Sequence, residues 1–190
     1  MEDHSSGLGD HGRYPAQFRQ MKHDELTGIG TKALFDMSLC ECLQSPSASS
    51  SLSLLCVNID NMKRFNMHNG PEKGDELIKS ISKLVEKTIP STAKLFRTGG
   101  DQFMVILEPC DQTEAVNVSN EIVSSVAREP LVHQEEHCGD QHCMGPADIS
   151  VSIGVASTTS ATGVDAKDLS KIATEKMLEA KLAGRDCTKW

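Results

Sequence analysis

Two short apolar runs, Lys94–Arg97 and Phe103–Leu107, flank a turn that contains Gly99-Gly100. Runs of this length separated by a few glycine-bearing residues read as a β-hairpin. The hairpin stands mid-chain among segments of helical period, and that placement limits the fold. Upstream, Thr31–Gln44 carries a ragged helical stripe, Leu34, Met37, Leu39 and Leu43. Leu52–Ile59 is a continuous apolar run, a buried strand, and Lys73–Ile89 places Leu77, Ile81, Leu84, Val85 and Thr88 on one helical face. Downstream, Asp111 and Glu114 form a capping box that opens a helix with Ala115, Val118, Ile122 and Val126 inward. Ile149, Val151, Ile153 and Val155 alternate as a strand. Asp165–Ala183 is a last helix with Leu169, Ile172, Ala173 and Met177 inward and Gly184 as its stop. The order predicts an α+β fold of the split-βαβ kind, a central, mostly antiparallel sheet with a βαββαβ core flanked by helices.

Composition narrows the function. The chain has 190 residues, enough for one domain with its own core. With 19 basic and 27 acidic residues its net charge is −8, which disfavours binding to nucleic acid or a membrane surface, since both need a basic face. No run reaches the roughly 18 to 20 apolar residues that span a bilayer. The polar start, residues 1–22, has no apolar core of a signal peptide and reads as a flexible tail, leaving 23–190 as the domain. Seven cysteines, an odd number without an export signal, predict reduced thiols and a cytoplasmic setting.

Three stretches carry chemistry. The first, Asn58-Ile59-Asp60-Asn61-Met62 on to Asn66 and Gly74-Asp75, places polar groups where a buried strand ends. Taken alone it suits a polar turn and helix cap equally well. The second, Arg97-Thr98-Gly99-Gly100-Asp101-Gln102-Phe103, lets backbone approach a ligand and sets a carboxylate beside it; any tight hairpin also accepts Gly-Gly-Asp. In the third, Lys181 and Arg185 stand four residues apart, where two cations can hold phosphates or simply match a helix dipole.

Together these stretches resemble the GGDEF domain of diguanylate cyclases over residues 23–190. Asp24-Glu25-Leu26-Thr27-Gly28 is similar to that family's opening Asp-x-Leu-Thr-Gly motif, and Asn58-Ile59-Asp60 with Asn66 and Gly74-Asp75 to its Asp-Ile-Asp block. Gly99-Gly100-Asp101-Gln102-Phe103 is similar to the signature itself, and Ser152–Ala156 and Ala180–Asp186 to its last strand and helix. The resemblance implies a nucleotide-cyclase palm-like fold. It implies an enzyme that joins two GTP into cyclic di-GMP with loss of pyrophosphate, each GTP on one of two facing domains. A homodimer or a partner protein must therefore align the sites. Asn66 and Asp75 match the guanine contacts, Lys181 and Arg185 the triphosphate contacts, and the backbone at Asn61 and Met62 the phosphate cradle. Asp101 and Lys181 match catalytic positions. The implied Mg²⁺ (or Mn²⁺) ligands are Asn58, the Ile59 carbonyl and Asp101.

Departures from the family pattern bear on activity. Asn58 stands in place of a metal-binding Asp, and Gln102 in place of the signature Glu, so two negative charges are missing. Thr31-Lys32 replaces the Asn-Arg that ends the opening motif, a mild change. Mg²⁺ is held mainly by carboxylates and phosphate oxygens. The expectation is a GTP-binding domain with a weakened metal centre and low cyclase activity; the alternative is a catalytically silent, GTP-binding regulatory module. Pro90–Ala93 stands where the family has its Arg-x-x-Asp product-inhibition motif and lacks it, so feedback through that site is not expected. Finally, His133, His137, Cys138, His142 and Cys143 lie within eleven residues. They match no known Zn²⁺ spacing, and the segment reads first as an exposed polar insertion, with Zn²⁺ as the lesser reading.

Overall fold

The computed structural model describes residues 22–44, 51–129, 149–158 and 165–190. Its strands are β1 (Gly30–Thr31), β2 (Ser53–Ile59), β3 (Lys94–Arg97), β4 (Gln102–Leu107), β5 (Val151–Ser157) and β6 (Cys187–Lys189). Its helices are α1 (Lys32–Gln44), α2 (Met62–Asn69), α3 (Pro71–Thr88), α4 (Gln112–Arg128) and α5 (Ala166–Leu182). The strands form one sheet in the order β1-β3-β4-β2-β5-β6. The inner four pair antiparallel, and the short edges β1 and β6 are parallel to their neighbours.

Helices cover both faces, so every residue of β2 is buried and its sequence shows no polar alternation until Asn58. Leu55, Val57 and Ile59 point into one core with Leu77 and Ile81 of α3 and Ile122 and Val126 of α4. Leu54 and Cys56 point into the other, with Phe35 and Leu39 of α1 and Leu169, Ala173 and Met177 of α5. Phe35 and Phe96 meet there edge to face, with ring centroids 5.6 Å apart. Burial pushes the Cys56 thiol up to about 11, so it packs as a neutral core group. Cys40, Cys42, Cys56, Cys110 and Cys187 are all free.

The Asp111–Glu114 capping box forms: Asp111 Oδ1 accepts from the Glu114 amide at 2.8 Å, and Glu114 Oε2 from the Asp111 amide at 3.0 Å. Four features differ from the sequence reading. Met37 is exposed rather than on the buried stripe of α1, which is made by Phe35, Ser38, Leu39 and Cys42. The stretch after Asp60 is a two-turn helix, α2, broken from α3 by Gly70 and Pro71. The edge strands β1 and β6 are too short to show a pattern. Ile172 is 41% exposed rather than inward, because α5 seats on a narrower stripe of Leu169, Ala173, Met177 and Ala180. The Cys/His segment 133–146 lies outside the described residues, as do the tail up to residue 21 and the serine-rich stretch 45–50.

Gly154 explains that narrow stripe. A Cβ here would run into the backbone of α5, at the Ala173 carbonyl, the Met177 amide and the Lys176 carbonyl carbon. Helix and strand therefore touch backbone to backbone. A second tie joins the start of the domain to the hairpin. Asp24 Oδ1 accepts from the Thr27 amide at 2.9 Å and its hydroxyl at 2.7 Å. Arg97 Nη1 donates to both Asp24 oxygens, at 3.0 and 3.2 Å, while Nε and Nη2 donate to the Gly100 carbonyl at 3.1 and 2.7 Å. Burial pushes the Asp24 carboxyl up, but the Thr27 and Arg97 hydrogen bonds and the Arg97 charge outweigh it and hold the group below its ordinary 3.8.

Gly154→Ala is expected to destabilise the fold by about 3 kcal/mol, the upper range for an overpacked core, read as a lower urea midpoint. The Asp24–Arg97 pair should lose its contribution in acid. Its carboxyl is depressed in the fold, so the stability is present above 3.8 and fades as pH falls through the lower folded value. Asp24→Asn should cost about 1 to 3 kcal/mol at neutral pH, and thermal melts of the two proteins should converge below that value.

Candidate functional site

The site lies where β2 ends, beside the β3–β4 turn and under the C-terminal end of α5. Asn58 pairs in register with Gln102 on one side and Ser152 on the other. The Ile59 amide donates to the Asp101 carbonyl at 3.0 Å, which docks the hairpin turn on the end of β2. Because α5 seats against Gly154, its last turn passes over the same place. Lys181 Nζ donates to Asn58 Oδ1 at 2.6 Å, and Asn58 Nδ2 donates to Asp101 Oδ1 at 3.1 Å. Asn58 is thus a neutral bridge between a cation and an anion, and its orientation follows from them: an ammonium can only donate and a carboxylate accepts.

That orientation bears on a divalent cation. Asp101 and the Ile59 carbonyl are oxygen donors, but Asn58 turns N–H toward Asp101 and its oxygen toward Lys181. The group that would face a cation beside Asp101 is therefore a donor of the wrong sign, and the donor set fits Mg²⁺ poorly. Among the described residues no three His, Cys, Asp or Glu side chains converge as a metal site. Gln102 donates from Nε2 to Thr98 Oγ1 at 3.2 Å and lines a 420 Å³ groove between α1 and α5 with Phe35, Met104 and Thr174.

The nucleotide-facing candidates follow. Asn61 has φ 56, precedes α2, and makes no side-chain cap, so the first amides of that helix remain open to an anion. Met62 buries its side chain and offers only backbone. Asn66 sits half-buried on α2, with an Oδ1 that is buried and has no hydrogen-bond partner. It faces Gly74 of α3, where any Cβ would press on that oxygen. Asp75, next in line, is exposed. Arg185 is exposed just past α5, with its amide held by the Ala180 carbonyl at 3.1 Å.

Two positioning features escaped the sequence reading. Arg97 reaches Asp24 across 73 residues, a separation that hides the pairing although both residues stand in recognised motifs. Asp60, fully buried, accepts from Ser150 Oγ and Ser152 Oγ, both at 2.8 Å, and from the Asp186 amide at 3.3 Å. Its place after a buried run and in the Asp-Ile-Asp-like block marked the residue, but neither showed which donors it meets.

Comparison with known proteins bears on the family and the fold. An uncharacterized membrane protein of Staphylococcus epidermidis is 30% identical over 166 residues, covering 87% of this chain and 44% of that protein. The diguanylate cyclase DgcS of Shewanella oneidensis is 28% identical over 178 residues, 93% of this chain and 55% of its own length. The chain thus spans about half the length of the curated relatives it matches. No helix among the described residues is long and apolar enough to cross a membrane. The crystal structure of the GGDEF domain of DgcB from Caulobacter crescentus, in complex with c-di-GMP, has a TM-score of 0.78 at 21% identity, covering 96% of this chain and 98% of that one. The family described as "Diguanylate cyclase, GGDEF domain" matches across residues 21–187, and with the fold and motif placement above, this chain belongs to the GGDEF domain family.

Proposed function

We propose that this chain is a GTP-binding GGDEF domain of diguanylate cyclase type whose metal centre is weakened. The observation that supports this reading is the Lys181–Asn58–Asp101 bridge, in which a neutral amide without the charge to hold a divalent ion joins a cation to an acid. In the cyclase reaction each 3′-oxygen attacks the α-phosphorus of the facing GTP, and two pyrophosphates leave as cyclic di-GMP forms. This chain's residues serve that reaction by binding. Asp75 and Asn66 take the guanine edge, the amides at Asn61 and Met62 cradle phosphate, and Lys181 and Arg185 offset its charge. A second copy or a partner protein brings two such faces together. The short metal site makes turnover slow. A silent regulatory module is the second reading, favoured by the N–H that Asn58 turns toward Asp101.

Asn58→Asp changes the charge at nearly constant volume. It should raise cyclic di-GMP output about tenfold or more, followed by chromatography of products from GTP with Mg²⁺ or Mn²⁺. Asp101→Asn should abolish whatever activity is present. A variant that binds GTP and still makes no product would favour the regulatory module.

Guanine offers N–H donors at N1 and the exocyclic amine, where adenine has an acceptor at N1; a buried mismatch costs about 1 to 3 kcal/mol. GTP should therefore bind at least about tenfold more tightly than ATP, and Asp75→Ala should erase the difference in calorimetry. Equal affinities for the two nucleotides would point instead to an interaction scaffold.

A further inference from the structure

Asp60 has no part in the site as read so far, yet its surroundings single it out. It is fully buried one residue beyond Ile59, and three donors converge on it: Ser150 Oγ and Ser152 Oγ from around the start of β5, and the Asp186 amide from the turn after α5. That turn is unusual. Arg185 and Asp186 both take positive φ, 69 and 50, although neither is glycine. Side chains rarely adopt this conformation, and it persists where surrounding contacts overdetermine it. Both contacts are present: the Arg185 amide is held by the Ala180 carbonyl at 3.1 Å, and the Asp186 amide by Asp60 Oδ2 at 3.3 Å. The first is local to the helix end. The second ties the turn to the strand that carries Asn58.

We infer that Asp60 is a positioning residue for the triphosphate: its buried carboxyl holds the Arg185–Asp186 turn in its left-handed conformation and so sets where the Arg185 guanidinium meets the phosphates. The inference rests on the reading of this face as a GTP site. It separates two jobs within one short motif, with Asn58 facing the reacting end and Asp60 working from beneath, out of reach of the nucleotide. The serines hold the carboxyl in a fixed pose, so it adds a side-chain tie between the end of β2 and the turn after α5 to the ladders that join β2 to β5 and β5 to β6.

The test uses the whole chain and two probes, GTP and guanosine, with Asp60→Ala and Asp60→Asn in wild-type and Arg185→Ala backgrounds. Asp60→Ala should weaken GTP about tenfold, leave guanosine within about twofold, and add nothing once Arg185 is already Ala, since a residue acting through another shows full coupling in the cycle. Asp60→Asn should stay within about threefold of wild type, because its amide oxygen can still accept from Asp186 while its N–H donates to a serine hydroxyl. Hydrogen exchange on the unaltered protein supplies a measurement that needs no variant to fold. The Asp186 amide should exchange about a hundredfold more slowly than a free turn amide. Rapid exchange at Asp186, or equal loss of GTP and guanosine in Asp60→Ala, would overturn the inference alone. Wild-type protein that binds no GTP would overturn the reading of the site and the inference with it; Asp186 protection would then mark Asp60 as purely structural.

Discussion

The backbone contact between α5 and β5 at Gly154 governs the geometry of this domain. Lys181 lies one helical turn beyond Met177, whose amide is among the atoms a Cβ at position 154 would strike. Seating the helix that close brings its final turn over the end of β2, so that a lysine ammonium reaches an asparagine 123 residues earlier at 2.6 Å. A larger residue at 154 would lift the helix and withdraw that cation. The packing of the second core and the chemistry of the site are thus one constraint, carried by the small residues Gly154, Ala173 and Ala180.

Charge decides what the site can do once it is assembled. With a carboxylate at position 58, Lys181 would face an anion and two acids would flank the Ile59 carbonyl. With Asn58 the cation and the remaining acid instead order a neutral amide between them, and each of its polar atoms is satisfied. A satisfied bridge of this kind resists turning round, because the flipped amide would set N–H against an ammonium and oxygen against a carboxylate. The neutral amide therefore settles with its N–H toward Asp101 and its oxygen toward Lys181.

The hairpin that carries Asp101 is held from behind. Its turn is fastened to the Ile59 amide on one side and, through Arg97, to Asp24 on the other. Exposed turns with two adjacent glycines are otherwise free to rearrange. Here the Gly100 carbonyl receives two guanidinium hydrogen bonds, so the position of the acid depends on a residue far outside the turn.

Much of this was legible in the sequence for a physical reason: hydrophobic period and capping chemistry are local. The hairpin around Gly99-Gly100, the Asp111 cap and the buried runs of β2 and β5 could be read from a few neighbours each. The ordered motifs likewise marked the GGDEF family. Only the tertiary structure decided the rest. The edge strands β1 and β6 exist because a finished sheet offers them partners, and two or three residues carry no pattern alone. Ile172 points outward because Gly154 narrows the seat of α5, a fact of the strand that the helix sequence does not contain. The orientation of the Asn58 amide and the burial of Asp60 under the turn after α5 depend on charges and donors that meet only when segments more than forty residues apart come together.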